Sequence, residues 1–422
     1  MTFGTILHLA WRSLLNRRAT AGLTLFALAV SVMLVLGVEK LRTEAKASFA
    51  NTISGTDLIV GARSGSVQLL LYSVFRIGNA TNNISWTGYQ ALASHPDVAW
   101  AVPLSLGDSH RGFRVLGTTP DYFIHYRYGR RHALAFAAGK PFDDLFDAVI
   151  GAEVARALGY KLGESIVVSH GLGGEGFAAH ADKPFRVAGI LAKTGTPVDR
   201  TVHVGLRAIE AIHVDWRGGA RQPGLGVPAD RLRQMDLQPR QVTAVLVGVK
   251  SRFAAFKLQR WINDYRGEPL LAVLPGVALQ ELWDLMGTAE AALAAVSVAV
   301  VAAGLLGMVT MLLAGLNERR REMAVLRAVG ARPLHLFTLL VCEATALALG
   351  GAMAGLGLLY LALLAARPVL DAHFGLFIGI GTPTAHDAAI LAAVVAAGAA
   401  AGALPALRAY RQSLADGMMV RL

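Results

Sequence analysis

Four long apolar stretches dominate this 422-residue sequence and limit the folds open to it. A helix needs about 20 mainly apolar residues to cross the hydrocarbon core of a membrane. The stretches predict four transmembrane helices, at residues 19–38, 290–316, 334–364 and 388–407. Charged residues make up only 16% of the chain, against about 25% in soluble proteins. We therefore expect an α-helical membrane protein with room for a domain outside the bilayer.

Residues 1–18 precede the first span and place apolar side chains on one helical face, namely Ile6, Leu9, Ala10 and Leu14. This pattern predicts an amphipathic helix on the membrane surface, so membrane lipids are expected partners. The first span is longer than the apolar region of a cleaved signal peptide, which has about 7 to 15 residues. We expect the first span to be retained.

The distribution of arginine predicts the orientation, because basic residues near span ends stay in the cytoplasm. The two ends of the chain and residues 317–333 contain eleven arginines and three acids, and so carry +8 of the net +11. We expect a multi-pass protein of the cell inner (plasma) membrane with both termini and a tail at 408–422 in the cytoplasm. Residues 39–289 and a short loop at 365–387 would lie outside. Because topology explains the basic balance, no nucleic-acid partner is predicted.

The large segment 39–289 has ends that continue the neighbouring spans as helices, which predicts a helical stalk. Between these ends the pattern is typical of a large α/β extracytoplasmic domain, an α/β module with an inserted β-rich module at about 140–205. Predicted strands include "TDLIVGA", "VAWAVPL", "RGFRVLGTT", "FRVAGIL", "TVHVGL", "VTAVLVGVK" and "LLAVLPG". Predicted helices are "SWTGYQALASHP" and "SRFAAFKLQRWINDYRG", and residues 217–234 are predicted to form a loop.

The motif content argues against an enzyme. The stretch "GLGGEG" (171–176) matches G-x-G-x-x-G, but no helix follows it directly, so we interpret it as a flexible connection between strands. The sequence has no G-x-x-x-x-G-K-[ST], H-E-x-x-H or G-x-S-x-G motif. We expect no catalytic residues and no cofactor bound by this chain. The single cysteine, Cys342, excludes an intrachain disulfide.

Twelve histidines are present, and eight of them lie in the predicted outer segment, including His170 and His180. They lack the paired short-range spacing that is typical of metal sites, and lone histidines are usually surface or core residues. The sequence therefore predicts no metal ligands, while metal binding by the outer domain stays an open question.

The third span contains an acid, Glu343, about ten residues from its start, where an ionisable group is costly. We interpret it as a neutral or hydrogen-bonded acid that faces another helix. The alternative, a proton relay, would need further ionisable residues at similar depth. Small residues are frequent in the spans, and Gly304, Gly307, Gly351 and Gly355 are predicted to let helices pack closely.

The stretch "NERRREMAVLRAVGARP" (317–333) concentrates charge between two spans. Its centre is compatible with a helix that places Met323, Leu326 and Val329 on one side, with Val325 beside them. Gly330 is a typical helix stop. Positive-inside topology alone would explain the arginines. It would not require the glutamates or the apolar face, and both favour a docking element for a cytoplasmic protein.

This stretch, the following span with Glu343 and the run "GGAMAGLGLL" closely resemble the FtsX-like permease family. Its members are the membrane subunits of ABC transporters that include lipoprotein releasers and macrolide exporters. The tail "GALPALRAYRQSLADGM" is similar to the family's ending but departs from it at "RQSLADG". The stretches "VGARSGSVQLLLYSVFRI" and "TGTPVDRTVHVGLRAIEAIH" look like a subgroup of the family's porter-like outer domains.

The resemblance implies a permease without enzymatic activity, coupled to a separate ABC-type ATPase subunit that binds ATP and Mg²⁺. Residues 317–333 would be the coupling helix seated on that ATPase. The implied polar contacts are Glu318, Arg319, Arg320, Arg321, Glu322 and Arg327. Met323 and Leu326 would be packing contacts, and Gly330 would stop the helix. A second permease copy or homologue would complete a dimer, with a periplasmic adaptor or lipoprotein as a further candidate partner.

The expected function is export or release of a lipoprotein, peptide or small hydrophobic substrate. The family mechanism implied is mechanotransmission, in which the stalks carry ATP-driven movement to the outer domains. Two alternatives stay open. One is a regulatory complex that activates an envelope hydrolase without transport, and the other is an ATP-independent membrane receptor.

Overall fold

The computed structural model describes residues 2–171, 179–217, 220–221, 226–374 and 381–411. These residues form two compact units. The membrane unit lies within residues 1–44, 287–368 and 378–422, and the outer unit lies within residues 45–286 and 369–377.

Thirteen α-helices occur among the described residues. In chain order they are α1 (Phe3–Asn16), α2 (Arg18–Thr52), α3 (Ser66–Ser73), α4 (Trp86–Ala93), α5 (Asp121–His125), α6 (Ala152–Leu158), α7 (Leu206–His213), α8 (Ala229–Gln234), α9 (Ala254–Asn263), α10 (Pro275–Glu318), α11 (Arg320–Ala328), α12 (Pro333–Phe374) and α13 (Ala385–Arg411). A short 3-10 helix spans Pro197–Arg200.

The strands all belong to the outer unit. In chain order they are β1 (Leu58–Ala62), β2 (Ile84–Ser85), β3 (Val98–His110), β4 (Phe113–Thr118), β5 (Arg127–Tyr128), β6 (His132–Ala133), β7 (Phe136–Gly139), β8 (Asp147–Ile150), β9 (Ser165–Ile166), β10 (Ser169–His170), β11 (Phe185–Leu191), β12 (Thr201–Gly205), β13 (Trp216–Arg217), β14 (Ala220–Arg221), β15 (Gln241–Val242), β16 (Ala244–Val249) and β17 (Leu270–Val273).

Four of the described helices are long and apolar enough to cross a membrane, namely α2, α10, α12 and α13. They confirm the prediction of four transmembrane helices. With 35, 44, 42 and 27 residues they are longer than the predicted spans. The helices α2 and α10 gain their length because each continues past its apolar stretch into the outer unit.

The membrane unit packs around an apolar cluster in which three of these helices meet. The buried members are Ala21 and Leu28 of α2, Met308 and Leu312 of α10, and Ala344 and Leu347 of α12. The N-terminal α1 buries Ile6 and Ala10 against Leu339 of α12. It also exposes a stripe of large apolar residues at four-residue spacing: Phe3, Leu7, Trp11 and Leu15. Such a stripe suits a helix that contacts lipid at the membrane surface.

One hydrogen-bonded sheet runs through both modules of the outer unit, in the order β17-β1-β16-β3-β4-β12-β8-β11-β7. The 13-residue strand β3 joins the modules, because its first part pairs with β16 and its last part pairs with β4. The register of β3 and β4 shifts between Leu106 and Ser109. The inserted β-rich module is therefore continuous with the α/β module and is not a separate sheet.

Each module has its own helix-covered core. In the α/β module, Leu258 and Ile262 lie one helical turn apart on α9 and pack in one cluster with residues of the strands β1 and β16. In the β-rich module, Ala208 and Ile212 of α7 pack beside β8, β11 and β12. Strand β11 alternates buried and less buried residues, as expected for a strand with one face in the core. The α/β fold class of the outer domain is thereby confirmed.

Four expectations from the sequence need correction or fall partly on residues that the structure does not describe. The segment 217–234, predicted as a loop, contains the helix α8 and part of a short hairpin formed by β13 and β14. Most of the glycine-rich stretch 171–176 lies outside the described residues, as do 375–380 of the short outer loop and 412–422 of the tail.

Candidate functional site

The segment between α10 and α12 forms the short helix α11, which follows a break in the helix at Arg319. Gly330 adopts a φ of 99° just after the end of α11, a conformation that suits glycine because it has no Cβ. The Ala331 N–H then donates to Leu326 O at 3.0 Å. These contacts give α11 a defined end before α12 begins.

One face of α11 packs on the chain itself. Met323 is buried in an apolar cluster, and Leu326 packs against the same cluster. The other buried members are Leu316 of α10, Leu336 and Leu340 of α12, and Ala406 and Ala409 of α13. This placement corrects the expectation that Met323 contacts an ATPase, because its side chain is buried where α11 meets three membrane helices. Leu326 is half-buried, and its contact with an ATPase stays a prediction.

The opposite face of α11 is open to solvent. It consists of Arg321 and Glu322, which are exposed, and of Val325 and Val329, which are 56% and 84% exposed. The four residues recur at helical spacing, so they form one continuous stripe. We call this stripe the exposed face of α11. Sequence reasoning grouped Val329 with Met323, although the structure places them on different sides.

The remaining predicted polar contacts have different surroundings. Arg327 is half-buried, and Arg319 is buried. The side chains of Glu318 and Arg320 lie outside the described part of the chain. Of the six predicted polar contacts, Arg321 and Glu322 are therefore the two that the structure places at the surface.

Arg319 binds the intramembrane acid. Its Nη1 donates to Glu343 Oε2 at 2.8 Å, and the Glu343 side chain is only 2% exposed. Arg319 also lies 3.4 Å from the exposed carboxylate of Glu322. Glu343 is thus hydrogen-bonded, and its partner is the arginine that sequence reasoning assigned to an ATPase contact. Helical spacing could have indicated the pair, since Arg319 precedes the inward-facing Met323 by four residues.

The predicted packing glycines fall into two groups. Gly304, Gly351 and Gly355 lie against α2. A Cβ at Gly304 would lie 2.9 Å from Ser31 Oγ, and one at Gly351 would lie 2.6 Å from Leu28 Cβ. A Cβ at Gly355 would lie 2.6 Å from Ala29 O. Gly307 faces open space in the described part of the chain. Two glycines of the fourth span approach α12 equally closely, Gly398 against Ala348 and Gly402 against Ala344.

The fold and the helix α11 define a class: a four-span membrane protein with a large α/β domain on one side and a short charged helix between its second and third spans. Residues 294–414 match the family model of the FtsX-like permease C-terminal domain, and residues 21–261 match that of the MacB-like periplasmic core domain. The second match covers more than half of the chain. The chain therefore belongs to the FtsX-like permeases that carry a MacB-like periplasmic core domain.

Two solved structures resemble the outer unit at low identity. One is the periplasmic region of MacB from Actinobacillus actinomycetemcomitans, with 11% identity, a TM-score of 0.33, and coverage of 55% of this chain and 94% of that one. The other is the extracellular domain of the noncanonic ABC-type transporter YknZ from Gram-positive bacteria, with 14% identity, a TM-score of 0.29, and coverage of 52% and 99%. No protein of curated function matches the sequence.

Membership of this family indicates the general role of the chain. The chain is a permease of the ABC transporter class and a multi-pass protein of the inner membrane, and its family implies an ABC ATPase as partner. The resemblance found in residues 317–357 of the sequence is thereby confirmed at the level of the family.

Proposed function

We propose that this chain couples ATP hydrolysis by a separate ABC ATPase to movement of its own outer unit, the process called mechanotransmission. The partner would bind ATP and Mg²⁺, and this chain would bind neither. The observation that carries the proposal is the exposed face of α11, which offers two charged and two apolar side chains on one stripe.

The composition of this face favours a protein partner over lipid or water. Val325 and Val329 would each gain about 1.5–3 kcal/mol on full burial, and both are more than half exposed. Arg321 and Glu322 beside them are exposed and would lose hydration in a lipid environment, which is costly for charged side chains. A groove on a protein can bury the valines and pair both charges at once.

The other face of α11 supports transmission of force. The cluster around Met323 joins α11 to α10, α12 and α13, and the bond between Arg319 and Glu343 ties the start of α11 to α12. The helices α2 and α10 then continue into the outer unit. A push on α11 would therefore act on helices that are themselves part of the outer unit.

The wider assembly follows from the same proposal. We infer that both termini and α11 lie in the cytoplasm and that two permease copies form a dimer on two ATPase subunits. The outer units would then export or release a lipoprotein, a peptide or a small hydrophobic substrate, with a periplasmic adaptor or lipoprotein as a further partner. The abundance of small and apolar residues in the spans agrees with a substrate that does not pass between them.

A double substitution on α11 tests the proposal. We expect Val325→Asp with Val329→Asp to abolish retention of the ABC ATPase when the tagged chain is purified from its native membranes in mild detergent. Acidic side chains would oppose burial of this face, while the cluster around Met323 stays intact. Mass spectrometry of the purified complex measures the retained ATPase.

The matched control is Val277→Asp, the same change at a valine of α10 that is 52% exposed in the outer unit. This variant should retain the ATPase as the unchanged chain does. Normal ATPase retention by the double variant would disprove that the exposed face of α11 is the coupling surface. If no ABC ATPase copurifies with the unchanged chain, the proposed function is wrong.

A further inference from the structure

We propose that Asp108, His180 and His213 of the outer unit form a binding site for one divalent transition-metal ion, with Zn²⁺ the best match to these ligands. The fold brings one carboxylate oxygen and two imidazole nitrogens within 4.8 Å of one another. Zn²⁺ takes such ligands at about 2.0–2.2 Å. Shifts of the three side chains on the order of 1 Å would therefore bring their ligand atoms to these distances from one ion. The proposal does not depend on coupling to an ATPase.

Regular structure positions all three residues. Asp108 lies in β3 opposite His170 of β10, which pairs with it in an antiparallel ladder. His213 is the last residue of α7. The backbone N–H of His180 donates to Val168 O at 2.9 Å, which fixes the third position beside β10. The three residues come from separate parts of the sequence, so they form no short-range motif that would have indicated a metal site.

The unpaired ring nitrogens of His180 are the strongest evidence for a bound metal ion. The residue is fully buried, and neither of its ring nitrogens has a hydrogen-bond partner within the described part of the chain. Buried polar groups normally have partners, because leaving them unpaired is unfavourable. A buried imidazole whose two nitrogens both lack a partner can offer a lone pair to a metal ion.

His213 has the orientation expected of a metal ligand. Its Nδ1 lies 2.7 Å from the carbonyl oxygen of Ile209, and a carbonyl can only accept, so Nδ1 carries the hydrogen. The other nitrogen, Nε2, then offers a lone pair 3.8 Å from Asp108 Oδ1. Metal-binding histidines commonly donate their second ring nitrogen to a backbone carbonyl in this way.

His170 can complete the coordination from the solvent side. Its Nδ1 lies 3.0 Å from Asp108 Oδ1 and 3.3 Å from His213 Nε2, and its side chain is about half exposed. Without a metal, this ring donates to Asp108. In the metal-bound state the same nitrogen can serve as a fourth ligand after losing its proton.

The local charge suits a divalent cation. Asp108 contributes one buried negative charge, and the proposed histidine ligands are neutral when they bind. The nearby Lys183 is ion-paired with Asp215, and both are buried, so its positive charge is balanced. A hydrogen-bonded chain of Asp108, His170 and His213 alone would be a purely structural explanation, but it leaves His180 without a partner.

Titration with zinc chloride tests the site. The full chain, purified in detergent and freed of metal with a chelator, should bind one Zn²⁺ per chain in isothermal titration calorimetry. Asp108→Asn, which keeps the size of the side chain, and His213→Ala should each weaken binding by about 100-fold, the upper end of what lost metal-site partners cause. His170→Ala should weaken it by about 10-fold.

The matched control is His132→Ala, which removes an exposed histidine of β6 in the same outer unit and should leave Zn²⁺ binding unchanged. Far-UV circular dichroism shows whether each variant folds, and His213→Ala at a helix end remains informative if Asp108→Asn does not. Bound Co²⁺ should give visible d–d absorption that His213→Ala removes. Failure of the unchanged chain to bind Zn²⁺ stoichiometrically, or equal binding by all variants, would overturn the site.

Discussion

At the scale of single residues, Arg319 and Arg321 show why a run of charges cannot be interpreted as one surface. They are two positions apart, so they point to nearly opposite sides of a helix. Arg319 is buried on Glu343, whereas Arg321 is open to solvent. One arginine therefore holds the start of α11 to α12, and the other is exposed.

The buried pair gives a prediction about stability. Replacing Glu343 with Gln removes the buried counter-charge of Arg319 and leaves only the exposed carboxylate of Glu322 near it. Breaking a buried pair typically costs about 3–5 kcal/mol. We expect Glu343→Gln to lower the thermal unfolding temperature of the purified chain, measured in detergent by intrinsic tryptophan fluorescence. It should also reduce ATPase stimulation, because α11 loses its tie to α12.

Two controls test whether the lower unfolding temperature of Glu343→Gln comes from the buried pair or from the loss of any acidic side chain near Arg319. Glu322 also lies near Arg319, but its side chain is 68% exposed. Exposed pairs contribute only about 0–1 kcal/mol, so Glu322→Gln should melt close to the unchanged chain. Replacing both Arg319 and Glu343 with Met should restore most of the stability lost in Glu343→Gln, because no unpaired charge remains. Equal melting of Glu343→Gln and the unchanged chain would show that the pair contributes nothing.

At the scale of helices, the membrane unit depends on close approach to α2. The Gly304 and Gly355 positions leave no room for a side chain beside α2, and Ser31 Oγ of α2 donates to Val300 O of α10 at 3.2 Å. Interhelical hydrogen bonds and small residues are the usual sources of helix association in membranes, where the hydrophobic effect is weak. Without Gly304 of α10 and Gly355 of α12, α2 would stand further from both helices and lose these contacts.

The prediction at this scale compares two glycines of one helix. A Cβ at Gly355 would lie 2.6 Å from the backbone oxygen of Ala29, whereas a Cβ at Gly357 would meet nothing within 4 Å. We expect Gly355→Ala to destabilise the chain and Gly357→Ala to be neutral or slightly stabilising, since alanine favours a helix over glycine by about 1 kcal/mol. Thermal unfolding of the two variants measures the difference. A destabilised Gly357→Ala would indicate that glycine itself, and not close approach, sets the stability.

Elements were predicted well where the signal is local. Apolar length predicts the four spans, and alternation or helical spacing predicts seven strands of the outer unit and its helices α4 and α9, because these patterns need only neighbouring residues. The short helices α3, α5, α6, α7 and α8 were not predicted. The face that α11 buries could not be predicted in this way. Met323 and Val325 are both apolar, and only packing against α10, α12 and α13 decides that Met323 is inside. Likewise, Asp108, His180 and His213 meet only after β3 has paired with β10.

At the scale of the whole molecule, the two units share two uninterrupted helices. The boundary between the units crosses α2 after Glu44 and α10 after Met286, and neither helix breaks there. An unbroken α-helix is stiff along its axis because every turn is held by backbone hydrogen bonds. In the proposed mechanism, these continuous helices would carry movement of the membrane unit to the outer unit.

A proline at the boundary tests this route. Gly287 lies inside α10, and a proline there would remove a backbone hydrogen bond and kink the helix, at a cost of about 3 kcal/mol. We expect Gly287→Pro to retain the ATPase, because α11 is unchanged, and to lose the ATP-dependent change in hydrogen exchange of the outer unit. Gly287→Ala is the matched control, since a Cβ at this position meets nothing within 4 Å, and it should keep that change. An outer unit that still responds to ATP in Gly287→Pro would show that the stiffness of α10 is not needed for coupling.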